Sequence, residues 1–360
     1  MRLAIQGIGI TGSFGAGVDA LRTALQSRTV APQQLSVDHH DGVSDSFPAY
    51  RATTTGLERF LPKRELRRID HFSKMTLYAA HLALEDAELL EADRSRTGVV
   101  VASGYGPLKT TFNFLDSYLD FGYSCSSPTH FSNSVHNAAA AHVSMQLKLT
   151  SPSLTVTQFE MSVASALLSA RQWLEEGRVD RVLFGATDEY CEVLRYCRRH
   201  FFADGEQGPL RPLDLDAQTA MVGEGAVFMV LERADNRAAY AAIDSVILGN
   251  HAVVPLELPP AAVVVAGADG HRQCGRWYAE IIGDQPVVAC SPYYGSFPAA
   301  AGFDLAAAAL MMRDQQLYAG PQDAAANLHE SAFLPADEDT KLAGLKCGPG
   351  GDYGLICLSR

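Results

Sequence analysis

The alternation of apolar and polar positions predicts a strand that runs directly into a helix near the middle of the chain. Residues 153–157 alternate and include β-branched side chains, which predicts a buried strand. Residues 160–176 are rich in Ala, Leu and Ser and are followed by Gly177, which predicts a helix. The first side chain of such a helix points at its N-terminus, where the dipole and the free N–H groups favour negative charge. Enzymes place nucleophiles there, and this chain has Glu160 at that position.

The rest of the pattern alternates strands with helices in two similar blocks. This alternation predicts an α/β protein whose stacked sheets enclose a buried layer of helices. Residues 32–52 are polar and irregular, which predicts a surface loop. Strands are expected over residues 3–8, 97–104, 179–187, 222–232, 241–248, 262–266, 286–290 and 353–358, and helices over residues 18–26, 71–89, 138–147, 271–282 and 302–312.

Composition and charge exclude several classes of function. The 360 residues can bury one large core or two fused halves, and no apolar run is long enough to span a bilayer. The first residues enter a strand without the features of a signal peptide, so we expect a cytoplasmic protein. The net charge of −12 disfavours nucleic acids and anionic membranes as partners. Seven scattered cysteines without a CxxC pair argue against disulfides and a zinc site, and we expect no metal.

A glycine-rich stretch follows the first predicted strand. Gly7, Gly9 and Gly12 have the GxGxxG spacing of a nucleotide-binding loop. The match is weak, because no helix opens directly at Gly12 and no acidic residue clearly ends a second strand at the required distance. We therefore expect no cofactor at this turn.

Several motifs resemble those of one enzyme family. Residues 97–104 form a strand that ends in a glycine turn, and residues 184–189 read Phe-Gly-Ala-Thr-Asp-Glu. Residues 211–214 read Arg-Pro-Leu-Asp, and residues 222–226 read Val-Gly-Glu-Gly-Ala. Together with the central strand–helix turn, these stretches resemble the β-ketoacyl synthases, the condensing enzymes of fatty-acid and polyketide assembly.

The resemblance implies a thiolase fold over nearly the whole chain. Such a fold has two similar α/β halves, stacked as a layered αβαβα sandwich. The halves would be residues 1–235 and a shortened second half, residues 236–360.

The same resemblance implies that the reactive groups of the family are missing. The family has a cysteine where this chain has Glu160, and a carboxylate cannot usefully carry an acyl group because an acyl anhydride would hydrolyse. The first of two family histidines, which stabilise the developing enolate, corresponds to Gly267 or Asp269. The family lysine corresponds to Ser291, and the second histidine corresponds to Ser296. We expect Glu160 to plug this inactive pocket and to hold the interface helix in place.

Other groups in the chain are candidates for a substitute nucleophile. Cys290 and Cys347 would lie near the pocket, but neither begins a helix. His271 has no positioned partner in the sequence. A Ser-His-Asp arrangement stays open, although the chain has no Gly-x-Ser-x-Gly elbow. The family's gating loop, Phe-Gly-Phe-Gly-Gly, corresponds to residues 347–351, where both phenylalanines are absent.

An aromatic segment and a basic segment are candidates for contact with partners. In the family, the segment matching residues 112–138 lies at the subunit interface and lines the acyl tunnel, whereas an ordinary aromatic core is the alternative. Residues 61–69 carry four basic side chains, which predicts either a solvated helix face or a contact with phosphopantetheine or a carrier protein. The candidate tunnel and interface residues are Tyr118, Phe121, Phe131, His136 and Phe159.

The loss of reactive groups within a retained scaffold is typical of the chain length factors of type II polyketide systems. These inactive relatives pair with an active ketosynthase and shape its acyl tunnel. The resemblance therefore implies a non-catalytic subunit of a polyketide or aryl polyene synthase. Its partners would be an active ketosynthase paralogue and, mainly through that paralogue, an acyl carrier protein. The alternatives are a stand-alone malonyl-carrier-protein decarboxylase and a homodimer that binds acyl chains.

Overall fold

The computed structural model describes residues 1–38, 44–201, 209–234, 238–260, 262–321, 334–335 and 340–360. The strands are β1 Leu3–Gly12, β2 Gly15–Ala16, β3 Gln33–Asp38, β4 Ser44–Ala49, β5 Thr97–Ala102, β6 Ser153–Val156, β7 Arg181–Asp188, β8 Gly225–Arg233, β9 Ala242–Asn250, β10 Val263–Ala266, β11 Val287–Val288, β12 Gln316–Leu317, β13 Leu334–Pro335, β14 Leu342–Cys347 and β15 Asp352–Ser359. The helices are α1 Val18–Ser27, α2 Lys63–Leu66, α3 His71–Asp86, α4 Leu108–Phe121, α5 Pro128–Asn133, α6 Ala138–Gln146, α7 Ser162–Glu175, α8 Glu192–Phe201, α9 Arg272–Ile282 and α10 Ala301–Asp314.

The main sheet contains the same strand arrangement twice. Its order is β11-β10-β14-β15-β9-β1-β8-β7-β5-β6. In the first half, β8 pairs antiparallel with β1 and with β7, and in the second half β15 pairs antiparallel with β9 and with β14. Strand β5 then lies parallel to β7 and β6, and β10 lies parallel to β14 and β11. The two halves meet where β1 pairs with β9, at Leu3–Ile243 and Ala4–Ala242. The boundary between residues 235 and 236 stays a prediction.

Two helices form the layer between the two halves of the sheet. Helix α7 contacts β5 and β7 of the first half and β9 and β15 of the second, and α10 likewise contacts strands of both. Helix α10 is buried around its whole circumference because it consists largely of Ala, Leu and Met. Gly302 permits the close approach, since a Cβ there would lie 2.6 Å from the Cβ of Ala186. Helices α3 and α6 cover the first half, and α9 packs on β14 of the second, so the predicted five-layer α/β fold is confirmed.

Three sequence predictions need correction. Residues 32–52 contain the β3–β4 hairpin rather than a loop, and residues 39–43 between these strands lie outside the described residues. Strand β14 was not predicted, because its six residues lack a clear period. Gly7 and Gly9 lie inside β1 and not in a turn, and a Cβ at Gly9 would be 2.1 Å from the carbonyl oxygen of Ala79 in α3. These glycines therefore serve helix–strand packing, and the nucleotide-loop interpretation is wrong.

The central predicted strand is real, but it is not buried. Strand β6 pairs with β5 and ends the sheet order, so its other edge has no strand beside it among the described residues. Its residues are half-buried, and Ser153 is exposed. Alternation along a sequence predicts a strand but does not reveal how many neighbours the strand has, which explains the error. As for membrane association, no helix in the described ranges has both the length and the apolarity to cross a bilayer.

Candidate functional site

The turn between β6 and α7 places Glu160 where the sequence predicts a nucleophile position. Residues Phe159–Met161 form a single 3-10 turn, and α7 begins two residues after Glu160. The buried Ser162 hydroxyl accepts the backbone N–H of Gln158 at 2.8 Å and donates to the carbonyl oxygen of Ser103 at 3.0 Å. These hydrogen bonds fix the turn against the end of β5.

The side chain of Glu160 points into a small cavity between α7, α10 and β14. The volume that the centre of a water molecule can occupy there is about 20 Å³, which is room for about one water. The cavity, as it stands in this structure, is therefore too small for an acyl chain. Its lining residues are Glu160, Ala164, Ala301, Asp304, Leu305, Gly344, Leu345, Lys346, Gly354 and Ile356.

Lys346 supplies a buried positive charge to this cavity. Its ammonium group donates to the carbonyl oxygen of Gly267 at 2.8 Å and to Oδ2 of Asp269 at 3.1 Å, and only 5% of the residue is exposed. Burial alone lowers the pKa of Lys346, but the negative charges of Asp269 and Glu160 outweigh burial and raise this pKa above its usual value. Lys346 therefore carries its charge at neutral pH.

Asp304 is a second buried acid on the wall of the cavity. Burial raises its pKa to about 7, although the hydrogen bond from the Tyr294 hydroxyl and the charge of Lys346 both act in the opposite direction. Tyr294 is fully buried, and its pKa is raised by burial. The wall thus combines one cation with a buried acid whose pKa is raised toward neutral pH.

Ser296, Asp269 and His271 form a hydrogen-bonded chain beside the cavity. The Ser296 hydroxyl donates to Oδ2 of Asp269 at 2.9 Å, and Nε2 of His271 lies 2.9 Å from the same hydroxyl. The serine therefore stands between the histidine and the acid. A nucleophilic triad needs the histidine in the middle, so the Ser-His-Asp alternative is wrong for these residues.

Ser291 and Gly267 show how the positions implied for the family's lysine and histidine are filled. The Ser291 hydroxyl donates to the carbonyl oxygen of Ala268 at 2.7 Å and is buried. A Cβ at Gly267 would lie only 2.9 Å from Cδ of Lys346. The aliphatic part of Lys346 thus occupies the space into which a side chain at position 267 would extend.

The two cysteines considered as substitute nucleophiles are both buried. Cys290 is 0% exposed and Cys347 is 1% exposed. Burial raises the pKa of Cys347, which disfavours the thiolate that a nucleophile needs. Neither thiol is accessible to a substrate in this structure.

The buried acids of the family-like motifs tie strand ends together. Asp188, at the end of β7, accepts hydrogen bonds from the Ser103 hydroxyl and from the backbone N–H groups of Gly104 and Ala299, at 2.8 to 3.0 Å. Glu224 is fully buried and lies 2.9 Å from Arg51 and 3.0 Å from His71. Each carboxylate links the loops that surround the site, so these motifs shape the site without entering its cavity.

Comparison with known proteins identifies the family. A model of the β-ketoacyl synthase N-terminal domain matches residues 3–237. This chain belongs to the β-ketoacyl synthase family. The 3-oxoacyl-(acyl-carrier-protein) synthase 2 of Rhizobium meliloti (strain 1021) is 26% identical over 275 residues, which cover 69% of this chain and 63% of that relative.

Two further relatives add to this comparison. The polyketide biosynthesis malonyl-ACP decarboxylase of Bacillus subtilis (strain 168) is 27% identical over 238 residues, which cover 64% of this chain and 57% of that protein. The chain thus spans less than two thirds of the length of both curated relatives. The structure of the ishigamide ketosynthase/chain length factor aligns with a TM-score of 0.81 at 19% identity and covers 100% of this chain and 99% of that one. This likeness confirms the thiolase fold.

The residues proposed for the acyl tunnel and the interface all lie on the outside of this ketosynthase-like chain. Tyr118 is 49% exposed, Phe121 69%, Phe131 60% and Phe159 57%, and His136 is also exposed. The alternative of an ordinary aromatic core is therefore wrong for these residues. Helix α4 packs on α5, α5 on α6, and α6 on β6, so the exposed side chains follow a continuous set of elements up to the open sheet edge. We call this surface the aromatic face.

The basic segment borders an open cavity of about 270 Å³, which is lined by the residues that follow α2 and by residues of α4 and α5. Arg67, Arg68, Lys109 and His130 line it together with the buried acid Glu189. Burial raises the pKa of Glu189 to about 8. Both interpretations of this segment, a solvated face and a carrier contact, stay predictions. No three His, Cys, Asp or Glu side chains within the described parts of the chain are grouped as a metal ion requires.

Sequence reasoning missed Lys346, Asp304 and Tyr294. Lys346 is the one charged residue of the short apolar strand β14, and Asp304 is the one acid in the first three turns of the apolar helix α10. A single charge in an otherwise buried element is a signal of a buried polar site, since such a charge is costly without a partner. That signal was present in the sequence, but its partners come from distant segments.

Proposed function

We propose that this chain is a non-catalytic chain length factor that pairs with an active ketosynthase and shapes its acyl tunnel in type II polyketide or aryl polyene biosynthesis. The observation that carries the proposal is the site itself. Glu160 and the buried Lys346 line one cavity that holds about one water. Glu160 is a carboxylate with a cationic neighbour and does not supply the nucleophile for condensation. The cavity also has no room for the acyl chain.

The aromatic face supports pairing with another subunit. Most exposed large apolar side chains of the described residues lie between residues 115 and 168, and they border the open edge of β6. Exposed apolar patches mark interaction surfaces, and an open strand edge offers unpaired N–H and C=O groups to a second chain. A tunnel wall formed by this face would belong to the assembled pair and not to this chain alone.

A carrier protein is the second partner of this proposal. The chain carries a net charge of −12, so an acidic carrier protein needs a local basic surface to dock. The segment around Arg67 and Arg68, beside its open cavity, is such a surface. We therefore place the carrier contact at Arg67 and Arg68, directly after α2, when the pair is assembled.

Malonyl-carrier-protein decarboxylation is the second candidate function. It is favoured by the relative from Bacillus subtilis, whose printed name states that activity. In this chain, the ammonium group of Lys346 is a possible partner for a malonyl carboxylate. Asp269 already binds that ammonium group, and Glu160 repels a second carboxylate, so we rank this activity below the first.

Co-expression with a cysteine-bearing ketosynthase from the same genome tests the proposal. We expect a one-to-one complex that extends malonyl units and in which the labelled acyl group is attached only to the partner. Transfer of labelled acyl groups to this chain, with turnover, would refute the proposal. Release of carbon dioxide from malonyl carrier protein by the isolated chain would establish the second candidate instead.

A further inference from the structure

Phe159 has a backbone conformation that is unusual for its place in the fold. Its φ is +44°, in the left-handed region that bulky residues avoid. The other non-glycine residues with positive φ among those described, Arg28, Glu88, Lys148 and Gln315, all lie within two residues of a helix C-terminus, where this conformation is common. Phe159 instead begins the turn that leads into α7. Such a conformation persists only where the surroundings impose it.

The residue that follows Phe159 is held from inside the molecule. Glu160 and Lys346 line the same small cavity, which has room for about one water. Lys346 is itself fixed by Gly267 and Asp269. After Asp269, Glu160 is the charge that most raises the pKa of Lys346, so the two side chains interact electrostatically.

The residue before Glu160 points the opposite way. The ring of Phe159 is 57% exposed and meets the edge of Tyr105 at a centroid distance of 5.7 Å. Leaving a phenylalanine ring at the surface costs apolar burial, and the turn adds backbone strain. Neither cost is recovered within the described part of this chain, which indicates that the ring is buried elsewhere.

We propose that the Glu160–Lys346 pair is a buried anchor that fixes the turn so that Phe159 is presented to the partner subunit as a rigid contact. Glu160 and Lys346 are positioning residues, and Phe159 makes the contact. The identity of the partner rests on the proposed function, whereas the anchor does not. The position next to the lost nucleophile thus becomes part of the interface.

A double-mutant cycle on the isolated chain tests the anchor. The variants are Glu160→Gln, Lys346→Met and the double variant, and the readout is the midpoint of urea unfolding. We expect the loss in the double variant to be clearly smaller than the sum of the two single losses, because each single change leaves a charge without its partner. Additive losses would refute the anchor. If Lys346→Met fails to fold, Lys346→Gln, which also removes the cation but keeps a polar group near Gly267 and Asp269, takes its place in the cycle.

Phe159→Gly tests the strain and the contact in one variant. Glycine adopts positive φ freely, so we expect the midpoint of the isolated chain to rise. Affinity for the ketosynthase should fall at least tenfold, because the ring is lost. Glu88→Gly is the matched control, since it relieves a positive φ behind α3 and should leave affinity unchanged. A merely structural role for Phe159 predicts the reverse result, a lower midpoint with unchanged affinity.

The two proposals fail in different ways. If no ketosynthase binds the wild-type chain, the proposed function fails, and so does the assignment of Phe159 as a contact. The unfolding cycle still decides the anchor in that case. If the wild type binds and Phe159→Gly binds equally well, only the contact is refuted.

Discussion

The closed cavity and the aromatic face invert the usual distribution of polar and apolar groups. The cavity encloses Lys346, Asp304 and Glu160 where a core normally holds apolar side chains. The aromatic face exposes rings such as Phe121 and Phe131 where a surface is normally polar. The two regions meet at consecutive residues, Phe159 and Glu160. The buried polar groups of the cavity thus have their partners within the chain, whereas the rings of the aromatic face remain largely exposed.

The largest expected effect on stability comes from removing a charge that holds the buried polar groups of the cavity. Asp269→Ala removes the acid that binds both Lys346 and Ser296 and leaves a buried cation with less compensation. We expect a loss of about 3–5 kcal/mol in the free energy of unfolding, measured by urea denaturation. Asp216→Ala, at an exposed acid, is the control and should change stability by less than about 0.5 kcal/mol. A small loss for Asp269→Ala would mean that the interior is not held by charge.

A smaller effect, and one on association only, is expected from the exterior. Phe121→Ser removes a ring that is 69% exposed, so the isolated chain should keep its stability. We expect the affinity for the ketosynthase partner to fall by about 2 kcal/mol, as for a central aromatic contact, measured by calorimetry. Val253→Ser removes a side chain that is 79% exposed on a different loop and should leave affinity unchanged. Equal effects of the two variants would deny the aromatic face any special role.

The smallest expected effect is on the pH dependence of stability, and it comes from a buried acid near the aromatic face. Burial, with Asp70 and Glu224, raises the pKa of Glu189 from 4.5 to about 8. The folded chain therefore holds this proton more tightly, and its stabilising contribution is lost as the pH rises from about 4.5 through 8. Glu189→Gln should remove up to about 1.4 kcal/mol per pH unit of that slope between pH 6 and pH 8, measured by urea unfolding.

The control for this measurement is Glu192→Gln at the exposed start of α8. It removes an exposed carboxylate that pairs with Lys109 at the surface and should keep the slope of the wild-type chain. A Glu189→Gln variant with the wild-type slope would show that this acid does not titrate in the stated range.

Much of the fold follows from local pattern. Strands such as β5 and β8 are continuous apolar runs, α3 begins after the N-cap residue Asp70, and α10 is a run of Ala, Leu and Met, so these elements are predicted from the sequence. Strand β14 and the β3–β4 hairpin are missed, because short strands with mixed polarity have no distinct period. The edge position of β6 is missed since it depends on the packing order of the whole sheet.

The candidate site is predicted only in part. Glu160 is placed correctly at the strand–helix turn, because that turn is a local motif. Lys346 and Asp304 reach the same cavity from segments more than 130 residues further along the chain, and no spacing rule connects them to Glu160. The order of Ser296 between His271 and Asp269 also depends on side-chain directions that a sequence does not specify.

The open edge of β6 affects how much of this protein accumulates in a cell. A newly made chain exposes one edge of Ser153–Val156 that no strand of the described residues covers, beside a surface of exposed rings. Such an edge is a template for indiscriminate strand pairing and aggregation. We expect copies made in excess of the partner to be lost to aggregates and proteases. The rate of synthesis of the second subunit would then set the steady-state amount of the first.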